Sequence, residues 1–340
     1  MIGDPAALPL VSIVTPSLDQ GRFIADTIES VLAQDYPRIE YIVLDGGSRD
    51  GTLEILARYG TRVRWLSEPD RGQTAALNRG FRLVSGDIVS WLNADDVLLP
   101  GAVSAVVEAL AADPDAAMVY GDGELMDVAG RTLRPFRFTE PFNLRRLIEV
   151  SAFILQPAAF VRRGALQSVG YLDERLNWCM DWDLWIRIGS RHRVAFLPRP
   201  LARVRVHPES KTSRGGIAKI LEMHRVLRRH SRRWLPPIIV IHTGGMLYRA
   251  VCRRMGFVPD SPSGRPLSRI GWVARWLDRV LDRGQLPWEW WSRPELRRSL
   301  STAPPERTAP DPAARLASPP RRPRPESGAS APDRPPGHPG

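Results

Sequence analysis

Cysteine is nearly missing from this chain, with two residues in 340, Cys179 and Cys252. That excludes a disulfide framework and a cysteine-based metal site, which need several cysteines at short spacing. Lysine is equally scarce: Lys211 and Lys219 stand against 46 arginines. No run of about 18 apolar residues occurs, so no membrane-spanning helix is expected. The amino-terminal stretch has no basic run leading into an apolar one, so a secretory leader is not expected either. Together these absences point to a cytoplasmic protein. Hydrophobic residues still make up 43% of the chain, enough for one large domain with an appendage or for two modest domains.

The net charge of +11 conceals an asymmetry. Residues 1–150 carry 14 arginines and 22 acidic residues, a net of −8, whereas residues 151–340 carry 34 basic and 15 acidic residues, a net of +19. An acidic half suits a divalent cation, and a basic half suits phosphate or an anionic surface. No nucleic-acid-binding motif accompanies the basic half, so a nucleic-acid partner is not expected.

Hydrophobic periodicity sets out the first 120 residues as alternating strands and helices. Val11–Thr15 is a β-branched run ended by Pro16, followed by a helical pattern through Phe23, Ile24, Ile28, Val31 and Leu32. Strands are predicted at 39–44, 63–66, 88–92 and 117–120, with helices at 53–59, 73–84 and after Pro100. Such alternation implies an α/β fold whose mostly parallel sheet is covered by helices on both faces. Ligands of such sheets collect beyond the carboxyl ends of the strands. Three polar clusters lie there: Pro16-Ser17, Asp45-Gly46-Gly47-Ser48 and Asn93-Ala94-Asp95-Asp96. From 121 to about 215 the alternation gives way to mixed segments, with Gly130-Arg131 able to turn a hairpin.

Two of these clusters carry chemistry on their own. Carboxylates after a buried strand can hold Mg²⁺ or Mn²⁺ and bridge it to a diphosphate, although Asp95 or Asp96 could equally cap the next helix. Glycines beside Asp45 let the backbone approach a ligand, although Asp50 or Thr52 at a helix start explains the turn as well.

Taken in order, the blocks resemble the inverting family-2 glycosyltransferases. They are Ser12–Ser17, Ser30–Gln34, Ile42–Ser48, Glu68–Gly72 and Ala76–Gly80. The resemblance covers about residues 9–212 and implies a GT-A (Rossmann-like) fold, a mixed, mostly parallel sheet flanked by helices. It implies a nucleotide-sugar half at 9–120 and an acceptor half at 121–215. Pro16, Ser17, Asp45, Gly47, Asp70, Asn78, Arg79 and Asn93 would then line the donor pocket. Asp95 matches the second acid of the family's Asp-x-Asp motif, and Asn93 stands where the first acid is usual. Asp95, Asp96 and His207 are therefore the candidate metal ligands, for Mg²⁺ or Mn²⁺. Asp181 matches the catalytic base, with Asp183 as fallback, and Met180 replaces the acid that usually precedes it. Lys211, in the closing segment Val204–Thr212, is a candidate phosphate contact. Gln156, Trp178 and Trp182 fall on the acceptor side.

The function implied is transfer of a hexose from a nucleotide donor, UDP or dTDP rather than GDP, to a hydroxyl of a glycan or lipid-linked acceptor. A silent nucleotide-sugar-binding protein and a nucleotidyltransferase are the alternatives. Beyond the resemblance, residues 216–300 are basic, amphipathic and rich in tryptophan. They suit either an anionic membrane surface on the inner face, or packing against the catalytic domain or a second subunit. The last 40 residues hold 12 of the 32 prolines and are expected to be a disordered tail.

Overall fold

The computed structural model describes residues 8–136, 138–207, 209–211, 216–233, 238–239 and 243–244. All of them fall in the first of the chain's two compact units, Met1–Pro287. The expected proline-rich tail and most of the basic extension, including its five tryptophans from Trp272 to Trp291, lie outside the described residues.

A nine-stranded sheet runs through the molecule. Its first strands are β1 (Val11–Ser17), β2 (Ile39–Asp45), β3 (Arg64–Ser67), β4 (Ile88–Trp91) and β5 (Val97–Leu98). The later ones are β6 (Ala116–Met126), β7 (Thr132–Pro135), β8 (Ala159–Arg162) and β9 (Arg193–Arg205). The order is β3-β2-β1-β4-β8-β6-β9-β5, with β7 paired outside this path to β6. The block β3-β2-β1-β4 is parallel, and β8 joins β4 and β6 antiparallel. The chain leaves β1 towards β2 on one side and returns to β4 on the other. Strand order therefore reverses beside β1, which is where such sheets open a crevice.

Eight helices are described: α1 (Ile24–Leu32), α2 (Thr52–Arg58), α3 (Gln73–Leu83), α4 (Ala102–Ala112), α5 (Leu144–Glu149), α6 (Arg163–Ser168), α7 (Met180–Gly189) and α8 (Gly216–His230). They cover both faces, and strand alternation sorts the side chains between them. Ile42 and Leu44 belong to one buried cluster with Phe81, Trp185 and Leu227, while Tyr41 and Val43 belong to the other with Ile28, Leu56 and Val106. All seven residues of β1 are buried, as a central strand covered on both faces requires.

One departure from the sequence expectation has a clear cause. The strand expected at 117–120 continues as β6 to Met126, through Gly121-Asp122-Gly123. A Cβ at Gly123 would come within 2.2 Å of Leu155 and 2.6 Å of the Ala202 carbonyl oxygen, so this glycine permits close strand contact rather than breaking the strand. Helix α8 opens the basic stretch for which both a membrane surface and packing on the catalytic domain are expected alternatives. Its Met223, Val226 and Leu227 are buried in the same cluster as Trp182 and Trp185 of α7.

Candidate active site

The crevice is built from strand ends. At the end of β1, Ser17 is 5% exposed, and its Oγ has no hydrogen-bond partner among the described residues. Pro16 and Ser17 lie in register with Leu44 and Asp45 of β2. Asp45 is buried and largely occupied. Its Oδ2 accepts from the Gly47 and Ser48 backbone N–H groups (3.0 and 2.9 Å) and from Ser67 Oγ on β3 (2.7 Å), and its Oδ1 from Ser48 Oγ. Gly47 takes φ +88°, which allows this loop to curl back on the carboxylate. Asp70 stands beside it: a Cβ on Gly46 would meet Asp70 Oδ2 at 2.8 Å.

Beyond β4 the loop of Asn93, Asp95 and Asp96 divides its duties. Asn93 Oδ1 accepts from Gln73 Nε2 (2.7 Å), while Asn93 Nδ2 donates to Gln156 Oε1 (3.0 Å) and Asp96 Oδ2 (3.1 Å). Gln156, expected on the acceptor side, also donates to the Trp91 carbonyl (2.7 Å) and so braces this loop. Asp95 points to His207, whose Nε2 lies 3.1 Å from Asp95 Oδ2. The His207 ring packs 5.1 Å from Phe23.

Asp96 departs from its expected place among the metal ligands. It is 3% exposed and accepts from the Arg205 backbone N–H (3.0 Å) as well as from Asn93. Burial, with Asp95 close by, pushes its carboxyl well above the ordinary aspartate range. It serves as the internal anchor of the loop.

Asp95 and His207 are the remaining pair that could hold a metal, a site half-built by protein. Among the described residues no group of three acidic, histidine or cysteine side chains converges. One carboxylate and one imidazole do, and Mg²⁺ or Mn²⁺ commonly takes one or two protein ligands plus the oxygens of a substrate phosphate.

The candidate base lies at the start of α7. Asp181 lies in its first turn, where the helix dipole favours negative charge, and accepts from the Trp182 backbone N–H (2.7 Å). Burial raises its pKa, an effect opposed by that hydrogen bond and by Lys219 and Lys211. Lys211 donates to Gln73 Oε1 (2.7 Å), and burial lowers its pKa while Asp181 and Glu222 pull it back up. Gln73 thus joins Lys211 to Asn93, although the sequence blocks stopped one residue short of it.

Three further expectations are corrected. Asn78 does not face the donor crevice: its side chain donates to the Leu172 carbonyl (3.0 Å) and Glu174 Oε1 (2.9 Å) and accepts from the Leu172 N–H (3.0 Å). It staples α3 to the 172–174 loop. Asp183, the fallback base, is engaged by Arg187 Nε (2.7 Å) and His230 Nε2 (2.9 Å). Trp182 is 4% exposed and donates its indole N–H to the Leu147 carbonyl (2.8 Å), so it is core rather than a sugar platform. Trp178 is half-buried against the same core, and Arg79 pairs at the surface with Glu68 (2.9 Å).

Arg205 was not singled out in the sequence, yet it holds the crevice together. It is 2% exposed, donates to the carbonyls of Asp95 (2.9 Å) and Val128 (3.0 Å), pairs with Asp26 (2.9 Å) and lies 4.7 Å over the Phe23 ring.

The model of glycosyl transferase family 2 matches residues 12–170. A PGL/p-HBAD biosynthesis glycosyltransferase of Mycobacterium bovis is 32% identical over 189 residues, covering 54% of this chain and 71% of that protein. The chain belongs to glycosyl transferase family 2. An uncharacterized glycosyltransferase of Rickettsia prowazekii is 30% identical over 212 residues, covering 60% of this chain. This family member spans 66% of that relative's length, and 35% of a Rickettsia felis relative's. Two solved structures share its fold. Staphylococcus aureus TarS 1–349, in complex with UDP-GlcNAc, aligns with TM-score 0.54 at 18% identity, covering 73% of each chain. The mannosyltransferase PcManGT of Pyrobaculum calidifontis, in complex with GDP-Man and Mn²⁺, aligns with TM-score 0.53 at 19% identity, covering 85% of this chain and 84% of its own.

Proposed function

We propose that this family-2 member is an inverting glycosyltransferase. It would move a hexose from a nucleoside-diphosphate donor to the hydroxyl of a glycan or lipid-linked acceptor, in the synthesis of a cell-surface glycan. One observation carries this reading: the hydrogen bond of Lys211 to Gln73. Gln73 also holds Asn93, and Lys211 lies close enough to Asp181 to exchange charge effects with it. These links support reading the donor-side loop and the candidate base as parts of one site.

In this reading Asp181 takes the proton of the acceptor hydroxyl as that oxygen bonds to the anomeric carbon. The bond from that carbon to the diphosphate breaks on the opposite face, and its electron pair leaves with the diphosphate. A raised pKa suits Asp181 to this task, because a stronger base accepts the proton more readily. Asp95 and His207 would hold Mg²⁺ or Mn²⁺, which supplies positive charge to the departing diphosphate. Lys211 offers a second positive charge. Ser17 Oγ, buried without a partner among the described residues, is available to a nucleotide oxygen, and Asp70 beside Gly46 is available to the ribose or base. UDP or dTDP remains the expected donor over GDP. The two solved relatives carry UDP-GlcNAc and GDP-Man, so both bases belong in the test.

The test is release of nucleotide from a panel of nucleotide sugars with Mn²⁺, Mg²⁺ or EDTA. EDTA-sensitive release from one donor is expected. Tight binding of a donor without turnover, with or without acceptors, would favour the silent binding protein. No binding of any donor would overturn the reading.

A further inference from the structure

Helix α8 follows the family segment and returns a carboxylate to the start of α7. Glu222 is 4% exposed. Its Oε2 accepts from the Asn177 backbone N–H (2.8 Å), and its Oε1 from those of Trp178 (2.6 Å) and Cys179 (2.7 Å). A buried carboxylate is costly unless it is well hydrogen-bonded, and three successive N–H groups meet that demand. Cys179 is the residue just before α7, and its own side chain makes no capping bond. The cap comes instead from 43 positions along the chain. Asp181 follows two residues later. Both of the chain's lysines act on Asp181: Lys211 from the closing segment, and Lys219 from α8, one turn before Glu222.

We propose that Glu222 is a positioning residue for Asp181: by gathering the N–H groups of 177–179 it fixes the first turn of α7, and with it the direction in which Asp181 meets the acceptor. The proposal rests on reading Asp181 as the base. It makes α8 part of the catalytic machinery, although the family model ends at residue 170. A cap supplied from within the 177–179 loop would stabilise the helix end equally well. A cap supplied by α8 also fixes the start of α7 relative to a second helix. Displacement of a reacting group by about 1 Å can cost on the order of 100-fold in rate, so that restraint has kinetic weight.

The test uses the full chain and its variants Glu222→Ala, Glu222→Gln, Asp181→Asn and the double variant Glu222→Ala/Asp181→Asn. Turnover is read with whichever of UDP-GlcNAc or GDP-Man the wild-type chain uses, and donor affinity by calorimetry. Glu222→Ala is expected to lower kcat by about 10- to 100-fold with donor Kd unchanged. Glu222→Gln, which keeps one carbonyl acceptor, should fall between it and wild type. In the Asp181→Asn background, Glu222→Ala should lower the residual rate by less than about twofold, since a group that acts through Asp181 has nothing left to position. An unchanged kcat in Glu222→Ala overturns the proposal. So does a loss that multiplies with that of Asp181→Asn, or a parallel loss of donor affinity, either of which marks general damage. If Glu222→Ala does not fold, Glu222→Gln carries the same cycle. Full turnover by Asp181→Asn would instead sink the base reading itself, whatever Glu222 does.

Discussion

His207 Nε2 lies 3.1 Å from Asp95 Oδ2, joining two residues 112 positions apart. Arg205, two residues before His207, holds the backbone carbonyl of the same Asp95 (2.9 Å). The loop after β4 and the end of β9 therefore form one unit that pairs a carboxylate with an imidazole. Metal binding should depend on both. Because the protein offers two groups, Mn²⁺ should bind weakly alone and more tightly with UDP or GDP present. His207→Ala should raise the Mn²⁺ needed for half-maximal turnover by at least about tenfold. Calorimetric titration of Mn²⁺ with and without nucleotide, in both proteins, checks this, and equal affinity in the two would count against it.

Asp181 sets a pH dependence. Burial raises its pKa, and the base must be ionised to work. Turnover should therefore fall as pH drops through that raised value, with the acid limb of kcat above the ordinary aspartate range of about 4. Asp181→Asn should reduce kcat by about 10²- to 10⁴-fold and leave donor binding intact. A wild-type acid limb at or below the ordinary range would contradict the assignment.

Asn78 should matter for stability and not for the donor. Replacing it by Ala leaves the buried Leu172 N–H without its acceptor, which costs about 1–3 kcal/mol. Urea unfolding of Asn78→Ala should show that loss, while donor Kd stays at the wild-type value. Weakened donor binding with undiminished stability would return Asn78 to the crevice.

Asp183 gives a stability trend with pH. Burial raises its pKa, but His230 and Arg187 outweigh burial and the net shift is downward. The folded state thus favours the ionised form. Its contribution is full above the unfolded aspartate value of about 4 and is lost as pH falls through the lower folded value. Asp183→Asn should cost about 3–5 kcal/mol near neutrality, because Arg187 and His230 lose their buried partner. The gap from wild type in thermal or urea unfolding should narrow as the pH is lowered. A gap independent of pH would show that packing, not charge, is responsible.

The periodicity of residues 11–120 was enough to name the parallel core, because a doubly covered sheet requires short β-branched strands and amphipathic helices that local sequence displays. The strand-end clusters could be located for the same reason: Ser17, Asp45 and Asn93 to Asp96 follow buried runs. Which way each side chain turns was not legible. Asp95 and Asp96 are adjacent and chemically identical, yet only Asp95 meets His207. The choice depends on Arg205, whose backbone N–H takes Asp96 inward. Asn78 sits in a family block but answers to Leu172, 94 residues later. Glu222 had no local signal at all, since its three partners lie 43 to 45 positions earlier. Sequence alone determined the elements of the parallel core, their alternation and the strand ends where the polar clusters lie, all consequences of short-range pattern. Only the tertiary structure decided which polar groups face the crevice and which are spent inside it. A buried donor or acceptor must find a partner, and that partner is set by packing between distant segments.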